Sequence, residues 1–150
     1  MTDDWREITA IWQGGTGFVG KNSSGIALQM GKVSDQPGAS PMEMLLISLA
    51  GCTGMDVASI LEKGQQDLRG FQLAVRGKRR DEHPRIYTEI EIEYRLWGDL
   101  DPKAVERAIN LSKEKYCSVS AMLASAAKIH VRFTIHPVDD FETVNISINS

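Results

Sequence analysis

Two cysteines, Cys52 and Cys117, are the residues of this 150-residue chain whose type and setting bear most directly on chemistry. Cys52 lies in Leu49-Ala50-Gly51-Cys52-Thr53-Gly54, inside a long apolar stretch of helical character. Cys117 lies in Lys115-Tyr116-Cys117-Ser118-Val119-Ser120, where a polar helix ends and a short apolar one begins. Two thiols far apart in sequence can handle a peroxide as attacker and resolver. They can equally be inert core residues. A thiol attacks as thiolate, so it needs a cation, a helix N-terminus or a hydrogen-bond donor beside it. Cys52 is about three turns into its helix, where the dipole gives little help. Its same-face neighbours at i−4 and i+4 are Ser48, a hydrogen-bond donor, and Asp56, whose charge would raise a nearby thiol pKa. Cys117 is expected at the start of the third helix, where free backbone N–H groups favour an anion. No CxxC is present, and His83, His130 and His136 do not cluster in sequence with either cysteine, so no metal site is expected.

The elements that must position these thiols follow from pattern. Residues 7–13 read as a strand, Gly14-Gly15-Thr16-Gly17 as a turn, and Phe18–Lys21 and Ile26–Met30 as two further strands of an antiparallel meander. A Gly-, Pro- and Ser-rich loop runs from Gly31 to Ser40. Ser40-Pro41-Met42-Glu43 is a helix start, with Ser40 as N-cap, Pro41 at the first position and Glu43 completing a capping box. This helix is expected to reach Lys63 or Gly64. Its first half is apolar nearly all round, the pattern of a buried helix. Gly51 and Gly54 cost helix propensity, about 1 kcal/mol each; either a close backbone approach or ordinary tight packing accounts for them.

Residues 68–79 and 85–97 read as strands. In the second, Ile86, Thr88, Ile90, Ile92 and Tyr94 alternate with Tyr87, Glu89, Glu91, Glu93 and Arg95, which predicts a sheet with one face in water and glutamates that are solvated. His83-Pro84 is a turn. A second helix begins at Asp101-Pro102, a third spans Ser118 to Ala127, and Lys128–His136 is a last strand with His130 and His136 opposite its apolar face. The tail after Pro137 is either loose or an edge strand. The order β-β-β-α-β-β-α-α-β is that of an α+β protein, and no repeat or linker divides 1–150 into more than a single domain.

Composition narrows the classes. The chain is 42% hydrophobic and 25% charged, enough for a real core. A formal charge of −3 argues against nucleic-acid partners and membrane-surface binding. Lys78-Arg79-Arg80 is followed at once by Asp81-Glu82 and reads as a solvated strand end. Met1 to Trp5 carries neither a basic region nor an apolar run, and Met42–Ala50 is too short to span a bilayer, so no leader and no membrane segment are expected. A cytoplasmic protein with reduced cysteines is the expectation.

With these motifs in place, the chain resembles the OsmC/Ohr family of thiol peroxidases over roughly residues 5 to 137. Ser40 to Val57 resembles that family's central helix, with its Pro-Glu entry and its Cys after small residues. Lys115 to Ser120 resembles the segment holding its second Cys. The resemblance implies antiparallel sheets packed on a long central helix, in an intertwined homodimer. It further implies that Cys52 attacks an organic hydroperoxide, that Cys117 resolves the sulfenic acid as a disulfide, and that an external dithiol reductant resets the pair without any cofactor. Well-studied members add an Arg from the first hairpin, held by a Glu near the start of the central helix. Here Thr16 stands where that Arg would be, and no Arg occurs between Arg6 and Arg69. Lys21 or Lys32 would lack the planar guanidinium fork. Glu43 lies nine residues before Cys52 rather than ten, so it is either the catalytic Glu or only the cap. Three functions stay open: an organic hydroperoxide reductase of oxidative-stress defence, a redox sensor or reductase of another disulfide or electrophile, and a small-molecule-binding protein with passive thiols.

Overall fold

A computed structural model describes residues 4–141, and the chain forms two compact units, one up to Leu45 and one from Leu46 onward. Of the tail after Pro137, expected to be loose or an edge strand, Val138–Asp140 form a single 3-10 turn, and the part after Phe141 lies outside the described residues. The first unit is the expected meander: β1 (Ile8–Trp12), β2 (Phe18–Asn22) and β3 (Ala27–Met30), antiparallel throughout. Gly14 and Gly15 turn the first hairpin at φ 93° and 54°, a region that glycine enters without a Cβ clash. In the following loop Val33 and Gln36 exchange both backbone hydrogen bonds around Ser34 and Asp35. The unit ends in the first turn of α1 (Pro41–Lys63), where the capping box is closed. The Glu43 N–H donates to Ser40 Oγ (3.1 Å), and the Ser40 N–H donates to Glu43 Oε1 (3.0 Å).

The second unit carries the thiols. Along α1 the buried residues are Leu49, Thr53, Val57 and Leu61, a stripe at every fourth position. The expectation of a helix first half buried all round does not hold: Leu45 is 39% and Ile47 58% exposed, and Gly51 is open. Gly54, by contrast, packs tightly, since a Cβ there would sit 3.2 Å from Leu73 Cδ1. By length and composition the 23-residue α1 could cross a membrane, contrary to the estimate made from Met42–Ala50 alone. Its polar Thr53 and Asp56, however, are engaged within this unit, as a core helix requires.

The sheet behind α1 contains β4 (Asp67–Arg79), β5 (Tyr87–Asp99) and β6 (Lys128–His136). β4 and β5 are antiparallel, but β5 and β6 run parallel, so this sheet is mixed rather than antiparallel. The reason is the long connection between β5 and β6, which holds α2 (Pro102–Leu111), a π-helical turn (Ser112–Tyr116) and α3 (Ser118–Leu123) and so permits a crossover. Asp101 caps α2 by accepting from the Lys103 N–H. Ile90, Ile92, Tyr94 and Leu96 of β5 are buried as the alternation predicts, together with Val105, Ala108 and Ile109 of α2.

The alternation breaks at the start of β5. Tyr87 is buried and Thr88 exposed, because a bulge skips Thr88: Lys78 pairs with Glu89 and Arg79 with Tyr87. Gly77 makes room for the Tyr87 ring, which a Cβ would meet at 2.5 Å. Half-buried Glu91 and Glu93 form an ion-pair row, Arg76–Glu91, Arg95–Glu93 and Arg132–Glu93. Arg79 and Arg80 donate to the carbonyls of Arg85 and Pro84, so the basic cluster pins its own turn. His130 is exposed as expected. His136 is not: it is half-buried and stacks on Trp97 at 4.9 Å.

Candidate active site

The two cysteines, on different elements, meet. Cys52, half-buried on α1, and Cys117, buried between the π-helical turn and α3, are both free thiols. With a carboxylate oxygen of Asp56 their sulfurs form a cluster whose atoms all lie within 4.8 Å of one another. The loop geometry that holds Cys117 is tight. Its N–H donates to the Ser112 carbonyl (2.8 Å), closing the π-helical turn. As N-cap of α3, its Sγ accepts from the Ser120 N–H at 3.4 Å.

That cap does not activate the thiol. Burial pushes the Cys117 thiol up from its ordinary pKa, and contact with Cys52 pushes the same way; the Ser120 N–H opposes them without prevailing. The expectation that the helix start activates Cys117 is therefore not met. A six-residue helix supplies little dipole, while a buried thiolate is costly.

Asp56, the expected i+4 neighbour of Cys52, stands at the centre of the site. Ser112 Oγ donates to its Oδ2 at 2.9 Å. Ser112 Oγ is also 2.8 Å from Thr53 Oγ1, which is 2.7 Å from the Tyr94 hydroxyl. Each hydroxyl has one proton to give. Since that of Ser112 goes to Asp56, Thr53 donates to Ser112 and Tyr94 donates to Thr53. The chain of donors Tyr94→Thr53→Ser112→Asp56 is thus polarised toward the carboxylate beside the thiols. The phenol stays protonated for this role: burial raises the Tyr94 pKa, and the nearby Cys117 and Asp56 raise it further. Among the described residues Asp56 makes no ion pair. It also lines a cleft of about 330 Å³ with Ser59, Ile60, Lys63, Leu111 and Tyr116.

Tyr94, Thr53 and Ser112 escaped the sequence reading. Their signal was weak but present: a phenol in a mostly aliphatic row of β5, and Thr53 three positions from Asp56 on one helix. The π-helical turn that presents Ser112 had no signal. Glu43 is engaged as the cap acid, its carboxyl held below the usual range by the Ser40 backbone N–H and hydroxyl. Thr16 sits in the β1–β2 turn, and Lys32 is ion-paired to Asp35 at 3.3 Å.

Fold and thiol pair together define a class, and comparison with known proteins agrees. Residues 33–132 match the OsmC-like protein family. The chain belongs to that family. Protein YhfA of Escherichia coli (strain K12) is 43% identical over 119 residues, covering 79% of this chain and 89% of YhfA. The crystal structure of a protein from Aquifex aeolicus VF5 superposes with a TM-score of 0.82 at 36% identity, covering 90% of this chain and 98% of that one. The organic hydroperoxide resistance protein OhrB of Bacillus subtilis superposes with a TM-score of 0.64 at 13% identity, over 87% and 98% of the two chains, a likeness of fold alone.

Proposed function

We propose that this protein is a thiol peroxidase that reduces organic hydroperoxides to alcohols through Cys52 and Cys117, in defence against oxidative stress. The observation that carries the reading is the meeting of two free thiols from separate elements within 4.8 Å, close enough for small side-chain shifts to bring them to bonding distance. Cys52, the less buried sulfur, attacks the terminal peroxide oxygen. The O–O bond breaks, the alkoxide takes a proton and leaves as alcohol, and Cys52 becomes a sulfenic acid. Cys117 displaces hydroxide from it, which leaves as water, and the disulfide forms. An external dithiol restores both thiols by exchange. Glu43 serves as helix cap in this reading, and no group from the first hairpin is assigned a role. The working form is a homodimer in the cytoplasm.

The roles are tested by mixing reduced protein with cumene hydroperoxide and counting thiols over time. Wild type is expected to lose both thiols, Cys117→Ser to yield a trappable sulfenate, and Cys52→Ser to keep its remaining thiol. Thiols that outlast excess peroxide would rule the reading out.

A further inference from the structure

We infer that the reduced site of each chain captures one thiophilic divalent cation, of the Zn²⁺ type, with Cys52, Cys117 and Asp56 as ligands. The argument is one of donor set and charge. Two thiols and a carboxylate converge within 4.8 Å, and no guanidinium or ammonium pairs with Asp56 among the described residues. An arrangement that gathers three groups able to carry negative charge, with no ion pair to Asp56 among the described residues, is well matched to a metal ion. Sulfur donors select zinc and its softer relatives over Mg²⁺ and Ca²⁺, which require an all-oxygen shell.

The geometry is close to sufficient. Donors around a tetrahedral zinc stand about 3.8 Å apart when both are sulfur, so closing the cage takes movements of about an ångström. Three protein ligands leave a fourth position for water, as in open zinc sites. The outer shell is also built. Ser112 donates to Asp56 Oδ2 and is itself held by Thr53 and Tyr94, and the Ser120 N–H donates to Cys117 Sγ. Such contacts orient metal ligands. Asp56 itself also borders a cleft beside Lys63 and Tyr116.

Binding forms two metal–sulfur bonds as two thiol protons leave to solvent, with no change of oxidation state. No sequence spacing marks this site, because its three ligands come from α1 and from the segment ahead of α3. The inference stands whether or not the thiols reduce peroxides, since its test contains no peroxide.

Reduced, metal-free protein is titrated with Co²⁺ and then Zn²⁺, reading the sulfur-to-cobalt charge-transfer band, the ligand-field bands and the proton release. One ion per chain is expected, with a tetrahedral cobalt spectrum displaced by Zn²⁺ and both cysteines shielded from alkylation by Zn²⁺. Asp56→Asn, which keeps the Ser112 contact, is expected to bind at least tenfold more weakly with the charge-transfer intensity unchanged. Cys52→Ser and Cys117→Ser are expected to lose about half of that intensity. Absence of the charge-transfer band in folded wild-type protein overturns the inference. So does Asp56→Asn binding equal to wild type, or alkylation of either cysteine undiminished by Zn²⁺.

Discussion

At the residue scale the two thiols are not equivalent, and the difference has consequences in pH. Burial and the neighbouring Cys52 sulfur hold the Cys117 pKa above its ordinary value. Resolution of a Cys52 sulfenate needs Cys117 as thiolate. Its rate is therefore expected to climb about tenfold per pH unit up to and beyond about 8.5, the ordinary thiol pKa. Stopped-flow measurement of disulfide closure checks this, and a plateau below pH 8 would refute it. Stability follows with a definite sign. The folded chain keeps the Cys117 proton at pH values where the unfolded chain has lost it, so this contribution is full below about pH 8.5 and is lost as pH rises through the folded value. Unfolding free energy of the reduced protein is expected to fall on the alkaline side, and Cys117→Ser to flatten that fall.

At the element scale, α1, β5 and the π-helical turn are joined by hydroxyls rather than by apolar contact alone. Thr53→Val keeps the shape but removes both hydrogen bonds of a buried group, leaving the Tyr94 hydroxyl without its acceptor. The expected loss is about 2 kcal/mol by urea unfolding, against about 1 kcal/mol for Tyr94→Phe, which removes the terminal donor and strands no other donor. The reverse order would contradict the direction assigned to the chain. The elements themselves were largely legible. Period two in β5, the Ser40–Glu43 box and the Asp101–Pro102 start are local signals, and each appears where local physics puts it. Three features were not legible, because they are set by partners distant in sequence. The bulge that buries Tyr87 depends on Gly77 across the ladder, the stacking of His136 depends on Trp97, and the parallel β6 depends on its whole crossover. The thiol pair could be suspected from the cysteines. Asp56 beside Cys52 follows from their i, i+4 spacing, but its closeness to Cys117 does not, because only the fold brings Cys117 to it.

At the scale of the whole molecule, α1 carries a second apolar stripe, Ile47, Gly51 and Met55, opposite the buried one and exposed in the single chain. The homodimer proposed above would cover this stripe. Met55→Glu is then expected to shift the protein toward monomer in sedimentation velocity. Gly51→Ala discriminates further. In an isolated chain it would stabilise α1 by about 1 kcal/mol, whereas against a close partner helix it weakens association. A wild-type protein that sediments as a monomer at all concentrations would contradict the dimer. Ser40→Ala, at the other end of the same helix, removes the cap contact and is expected to cost about 1 kcal/mol, compared at fixed protein concentration because association contributes to apparent stability.

The central claim is that Cys52 and Cys117 of one chain act as a redox pair on an organic hydroperoxide. Its most direct test treats reduced protein with one equivalent of cumene hydroperoxide per chain, then maps disulfides by non-reducing peptide mass spectrometry while quantifying the alcohol. The account predicts a Cys52–Cys117 linkage within each chain and one alcohol released per linkage. Intact thiols with no alcohol, or disulfides only between chains, would contradict it.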